Sequence, residues 1–230
     1  MKSDEPLHEI KHQVSFFRLY CYALLVLNSI VQQLIRSRKD LKLFIDYEKQ
    51  LYGAKTANIG FCRPLSEKGI IWRYLSLLRY EEYHINCHHP LRAKIYKYRL
   101  AKMSRFYGLN IGPNIINAGF LMYHVGYVLI NADRIGRNFC CAPHVALIAG
   151  GHNEKNPVLG DNIVIGYGAT VCGGVDIPDG VAIGSCSFVN KSFSEKNVCL
   201  AGSPAKVISN NGSSTWGGTR IYQTIRPFEP

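Results

Sequence analysis

Residues 159–194, broken every six positions, read LGDNIV, IGYGAT, VCGGVD, IPDGVA, IGSCSF, VNKSFS. Each hexad opens on an aliphatic residue: Leu159, Ile165, Val171, Ile177, Ile183 and Val189. Counted backwards in sixes, the register meets Leu147, Cys141, Ile135 and Leu129, with Asn153 as its one polar interruption. A helix repeats every 3.6 residues and a plain strand every 2.0, so neither produces a strict six. An internal repeat of this length signals a parallel β-helix, in which each hexad is one short strand plus a turn and three hexads make a triangular coil. The opening residue then points inward and stacks on its equivalents in the coils above and below. Gly follows it at positions 112, 136, 160, 166 and 184. The fifth place is small or apolar at Phe139, Val145, Ile163, Ala169, Val175 and Val181. Gly, Asn and Asp supply turn residues that tolerate positive φ.

Towards the N-terminus the pattern changes. Residues 70–107 are expected to be helical: Ile71, Leu75 and Leu78 recur at three-to-four spacing. Pro90 opens a second helix and Gly108 closes it, the usual asymmetry of helix ends. Between them lie Arg92, Lys94, Lys97, Arg99, Lys102 and Arg105. These read as a solvated basic face or, in the sharper alternative, as a surface for an acidic glycan or anionic membrane lipid. No nucleic-acid-binding motif is present, and nucleic acid is not an expected partner. The expected organisation is a helical, basic region over 1–107, a β-helix over 108–210 and a tail over 211–230.

Composition agrees with two unlike segments. The net charge is +11. Residues 1–110 hold 19 basic and 9 acidic side chains (19 − 9 = +10), against 8 and 7 in residues 111–230 (8 − 7 = +1). Such asymmetry points to something anionic meeting the first half. The eight cysteines form no CxxC pair and no zinc-ligand spacing, and read as small buried hydrophobes of a reducing compartment. His84, His88 and His89 cluster beside Cys87, but adjacent side chains diverge, and no metal is expected. The N-terminal MKSDEPLHEIKHQ lacks the layout of a signal peptide, so the expected location is cytoplasmic, with association at the inner membrane face left open. Residues 14–35 are interrupted by Arg18, Asn28, Gln32 and Gln33. Their cleanest apolar part, 19–27, falls short of the roughly 20 residues a span needs, so a buried or interfacial helix is expected.

One apolar run carries a polar intruder: residues 118–131, AGFLMYHVGYVLIN, contain His124. The hexads, the break at 149–157 and the closing VNKSFSEKNVCLAGSPAKVI together resemble the hexapeptide-repeat acyltransferases. The resemblance is to the serine-acetyltransferase-like branch, which includes capsular and cell-surface polysaccharide O-acetyltransferases, and it covers residues 108–210. It implies a left-handed β-helix, acetyl-CoA as acyl donor and a homotrimer with the coenzyme lying between neighbouring subunits. In that family the segment H-x-G-x-[IV]-[VI]-[IVN] carries the base, which places the catalytic role on His124 of HVGYVLIN. The terminal AGxPA[KR] segment matches Ala201, Gly202, Ser203, Pro204, Ala205 and Lys206, which would lie along the coenzyme. Gly150 and Gly151 would begin the loop over it, Ala169 and Ser185 would meet the pantetheine arm, and Lys191 and Lys206 would hold the phosphates.

Two departures bear on the acceptor. Serine acetyltransferases place Asp directly before the catalytic His, where this chain has Tyr123, and His-Pro in the loop where it has Asn156-Pro157. The family's orienting Asp aligns, with a one-residue gap, to Asn110. His144 and His152 are further acceptor-side candidates, each equally readable as an ordinary surface residue. The chemistry implied is removal of a hydroxyl proton by neutral His, whose unperturbed pKa is about 6.5, as the oxygen attacks a thioester. The expected function is therefore an acetyl-CoA-dependent O-acetyltransferase acting on a sugar of a cell-surface polysaccharide or its precursor. The alternative is serine O-acetyltransferase of cysteine biosynthesis.

Overall fold

In the computed structural model, which describes residues 32–53, 66–150 and 154–229, the inward residues form three parallel ladders. Ile111, Ile130, Leu147, Val171 and Val189 run along a first face. Ile116, Ile135, Leu159 and Ile177 run along a second, and Met122, Cys141, Ile165, Ile183 and Leu200 along a third. All are at most 6% exposed, and Phe139, Val145, Ile163, Ala169, Val175 and Val181 fill the same core. The chain thus climbs as a triangular parallel β-helix, as the hexads require.

Between Leu147 on the first face and Leu159 on the second no strand lies among the described residues, and Asn153, the polar interruption of the repeat, lies outside them. One register expectation is corrected: Leu129 is not the inward residue. It is half-buried between buried Val128 and Ile130, and Ile130 is the partner of Leu147. The step from Met122 to Ile130 takes eight residues where Cys141 to Leu147 takes six, and that longer turn, which carries His124, displaces the register.

The corners are sharp because left-handed residues stack there. Between the second and third faces stand Gly119, Asn138, Asn162, Gly180 and Asn197, all at positive φ. Asn138 Nδ2 donates to Asn162 Oδ1 at 2.9 Å, linking one coil to the next. Between the third and first faces the same conformation falls on His144, Gly168 and Cys186. Cys186 is therefore exposed, contrary to the expectation for the cysteines, whereas Cys140, Cys141 and Cys199 are buried as expected. Cys21 and Cys62 lie outside the described residues.

A β-helix that simply began would leave the backbone groups of its first coil open, an unpaired edge. Three helices close it: α1 (Arg38–Tyr52), α2 (Glu67–Asn86) and α3 (Pro90–Tyr107). Ser37 and Ser66 cap α1 and α2 by accepting from Asp40 N–H and Gly69 N–H. Pro90 opens α3 and left-handed Gly108 ends it, as expected. The Tyr74 hydroxyl bonds both the N–H and the carbonyl of Ile111. That of Tyr52 bonds the Phe120 carbonyl and the Met122 N–H. Arg79, 1% exposed, donates to the carbonyls of Ile116 and Asn117 and pairs with Glu48 and Glu82. Those carboxylates in turn accept from Gly119 N–H and Asn114 N–H. Buried charge is costly unless every member of the cluster has partners, and here they do.

The C-terminal tail folds back over the third face. Ser213 N–H bonds the Gly180 carbonyl, and the Tyr222 hydroxyl reaches the carbonyls of Gly119 and Phe139. Phe228 packs edge-on to Phe44 and Tyr47 of α1. Trp216, Ile221, Tyr222 and Ile225 pack on the core. This cover explains why Leu121, Cys140, Val164 and Ala182, each beside an inward residue on a two-residue strand, are themselves buried. Among the described residues no helix is long and apolar enough to cross a membrane; the apolar segment at 14–35 falls almost wholly outside them.

Candidate active site

The run at 118–131 is two strands, Leu121–Met122 and Val128–Ile130, separated by the long corner that presents His124. The corner is fixed on both sides. Gly126 passes so close to the next coil that a Cβ would stand 2.7 Å from Pro143 Cβ, so only Gly fits. His144 N–H then bonds the Tyr127 carbonyl at 2.6 Å, and Val128 N–H bonds that of Gly108 at 2.9 Å. With its neighbours held, His124 projects outward, its side chain 72% exposed.

Its partner comes from a helix. Glu67, the first residue of α2, places Oε2 2.8 Å from His124 Nδ1. A helix N-terminus suits a carboxylate, because unpaired backbone N–H groups leave a partial positive charge there. A carboxylate at Nδ1 favours the tautomer protonated on that nitrogen, which leaves the Nε2 lone pair facing outward as a proton acceptor. Lys68 lies with Nζ 6.0 Å from the Tyr123 ring centroid. The Tyr123 hydroxyl donates to the Gly218 carbonyl at 2.6 Å, tying the residue before His124 to the tail. Burial, then the neighbouring Cys140, pushes the Tyr123 phenol above its ordinary value and keeps it neutral.

The remaining candidates fall on two edges of the prism. On the third-to-first edge, in coil order, stand His124, His144, Tyr167, Ser185 and then Ala201 and Gly202, all at least partly exposed. The His144 ring rests 5.0 Å from that of Tyr167 on the next coil. At the far end Ala201 and Gly202 pair antiparallel with Lys206 and Ala205. From the first coil to the last this edge spans four strand spacings, roughly 19 Å. Gly150, Asn156 and Lys191 lie instead on the first-to-second edge, between the first-face and second-face strands. Asn156 donates to Asp133 at 3.0 Å, and its own Oδ1 is buried with no partner among the described residues. Lys191 holds Nζ 5.4 Å from the Phe193 ring centroid. Ala169 faces the core, with its N–H and carbonyl bonded to Gly166 and Ala146. Gly151 and His152 lie outside the described residues.

Sequence reasoning missed Glu67, Lys68 and Gly218. Fifty-seven positions separate Glu67 from His124, and nothing in the local pattern links them. The one legible signal was the Ser66-Glu67 opening of α2, which reads as a helix start rather than a site.

No family model matches the chain. It is 28% identical over 122 residues to a serine acetyltransferase of Buchnera aphidicola subsp. Schizaphis graminum, covering 51% of this chain and 46% of that one. It is 30% identical over 138 residues to one from Staphylococcus xylosus, covering 56% and 62%. The chain thus spans about half of the first relative's length. Among solved structures it superposes on a serine acetyltransferase from Brucella abortus strain S19 with a TM-score of 0.59 at 19% identity, covering 76% of this chain and 72% of that one. The same enzyme in complex with coenzyme A gives 0.53 at 18% identity, covering 75% and 67%. The fold is the left-handed parallel β-helix of hexapeptide repeats, preceded by helices.

Proposed function

We propose that this chain is an acetyl-CoA-dependent O-acetyltransferase of the hexapeptide-repeat kind, with His124 as general base and Glu67 as the group that orients it. The observation that carries the reading is the 2.8 Å contact between Glu67 Oε2 and His124 Nδ1 at the start of a continuous exposed edge. An acceptor hydroxyl gives its proton to Nε2 as its oxygen attacks the acetyl carbonyl carbon. The carbon–sulfur bond then breaks, and the proton passes to the departing thiolate. No covalent enzyme intermediate is needed. Burial pushes the Cys140 thiol up to about 12 and holds that of Cys141 well above the ordinary thiol range, so neither is a nucleophile.

The roughly 19 Å edge suits an extended donor such as acetyl-CoA, with small Ser185, Ala201 and Gly202 along it and Lys206 at its far end. Gly150, Asn156 and Lys191 occupy a different edge of the same prism, so one chain cannot bring both sets together. Side-by-side packing, one copy's His124 edge against its neighbour's Asn156 edge, would join them. Such a head-to-tail contact closes as a ring, and a triangular prism favours three copies.

For the acceptor, the names of the relatives favour L-serine over the sugar hydroxyl that the sequence reading put first, and serine is the reading adopted. A sugar hydroxyl stands as second reading on one observation: Tyr123 precedes His124 where a carboxylate would meet a serine ammonium, and its hydroxyl is bonded to Gly218. Thiol release from acetyl-CoA separates them. Turnover with L-serine alone supports the first; turnover only with glycan acceptors supports the second.

A further inference from the structure

Helix α3 buries only Leu100. On the opposite side Leu91, Ile95, Tyr98 and Phe106 are 77%, 58%, 67% and 78% exposed. At 3.6 residues per turn these four fall on one stripe. The same rotation puts Lys94 and Arg105 along one margin of the stripe, Arg92 and Arg99 along the other, and exposed Lys102 within it between Tyr98 and Phe106. The helix contains no acidic residue, and among the described residues none of its cations is in an ion pair. Beside the stripe, α2 and α3 enclose a groove of about 390 Å³, where Arg73, Arg99 and Lys102 meet Leu77, Tyr98 and Phe106.

An exposed apolar stripe with basic margins is a demanding surface. Water leaves the stripe unburied. An isologous contact with a second copy would set cations against cations. A nucleic acid or soluble glycan answers the charge but gives Leu91, Ile95 and Phe106 no apolar phase to enter. An anionic bilayer answers both: head groups pair with the cations while the stripe sinks to the acyl boundary. We propose that α3 docks this protein on an anionic membrane surface, with a lipid phosphate seated in the groove between Arg73, Arg99 and Lys102. The proposal is independent of the acetyl-transfer reading, since it needs neither His124 nor a donor.

The test is flotation of the full chain with vesicles of phosphatidylcholine alone or with phosphatidylglycerol added. Binding is expected only to the anionic vesicles, weakening with salt. Arg92→Gln/Arg99→Gln/Lys102→Gln should lose about a hundredfold, at the usual contribution of each cation near a charged surface. Leu91→Ser/Ile95→Ser/Phe106→Ser should lose about tenfold or more through the lost apolar burial. Both variants alter exposed side chains, so their thermal unfolding should match the wild type. Equal binding to neutral vesicles, or full binding retained by either variant, would overturn the proposal. So would a change of mass in solution for the apolar variant with vesicle binding intact, which would make the stripe an interface between copies.

Discussion

Glu67 Oε2 lies 2.8 Å from His124 Nδ1, so a helix that closes the open end of the β-helix also supplies the partner of the one histidine displayed on its first long corner. The pair is exposed, with side chains 72% and 52% accessible, and contributes little to stability, about 0–1 kcal/mol. Its expected effect is on turnover. Glu67→Gln keeps an acceptor for the Nδ1 proton but removes the charge that stabilises the protonated ring. Its kcat should fall by about tenfold to a hundredfold, less than the full contribution of a general base. The melting temperature should be unchanged. Steady-state kinetics beside a thermal melt checks both; a loss of stability without a loss of kcat would reduce Glu67 to a structural contact.

Gly126→Ala tests the other constraint on the same corner. The added methyl would stand 2.7 Å from Pro143 Cβ, so the corner has to shift. Overpacking of this kind costs about 1–3 kcal/mol. Turnover should fall through misplacement of His124, while acetyl-CoA affinity measured by calorimetry changes little. Wild-type kinetics in this variant would mean that the corner is not held from below.

Arg79→Met should be among the most damaging single changes away from the site. It leaves Glu48 and Glu82 buried without their cation and frees the carbonyls of Ile116 and Asn117. Breaking such a cluster from one side costs about 3–5 kcal/mol. The denaturant midpoint reports it. A shift below about 1 kcal/mol would place the cap's stability elsewhere, in its apolar contacts.

The tail's cover can be read through a thiol. Burial pushes Cys140 up to about 12, so at pH 8 it holds almost no thiolate and should resist alkylation in the full chain. Ending the chain at Asn211 removes Trp216, Ile221, Tyr222 and Ile225 from the third face. The Cys140 value should then fall towards that of an ordinary thiol and labelling should speed up, with peptide mass spectrometry identifying the site. Unchanged protection would mean that the strands shield Cys140 without the tail.

The β-helix was legible because its signal is redundant: the inward residue recurs at each hexad, and a single slip does not hide the period. The register at Leu129 was misread for the same reason. Two extra residues around His124, less the one saved in the five-residue step from Ile130 to Ile135, shift the frame by one, and an apolar run such as Val128–Ile130 does not show which of its members faces inward. His124 and the Ala201–Lys206 hairpin were visible as local motifs. Glu67 and the Tyr123–Gly218 bond were not, since each joins segments distant in sequence that only the folded chain brings together. The tail showed only as scattered apolar residues without period, because it packs as an irregular strap rather than as a face of a regular element.

The most direct measurement is thiol release from acetyl-CoA by the wild type and by His124→Ala, with L-serine and with sugar acceptors. Acceptor-dependent release by the wild type, cut by about 10²–10⁴-fold in the variant while acetyl-CoA still binds, is expected for a general base on an intact donor edge. Release by His124→Ala at the wild-type rate, or a wild type that binds no acetyl-CoA, would contradict the assignment of this edge as an acetyltransferase site.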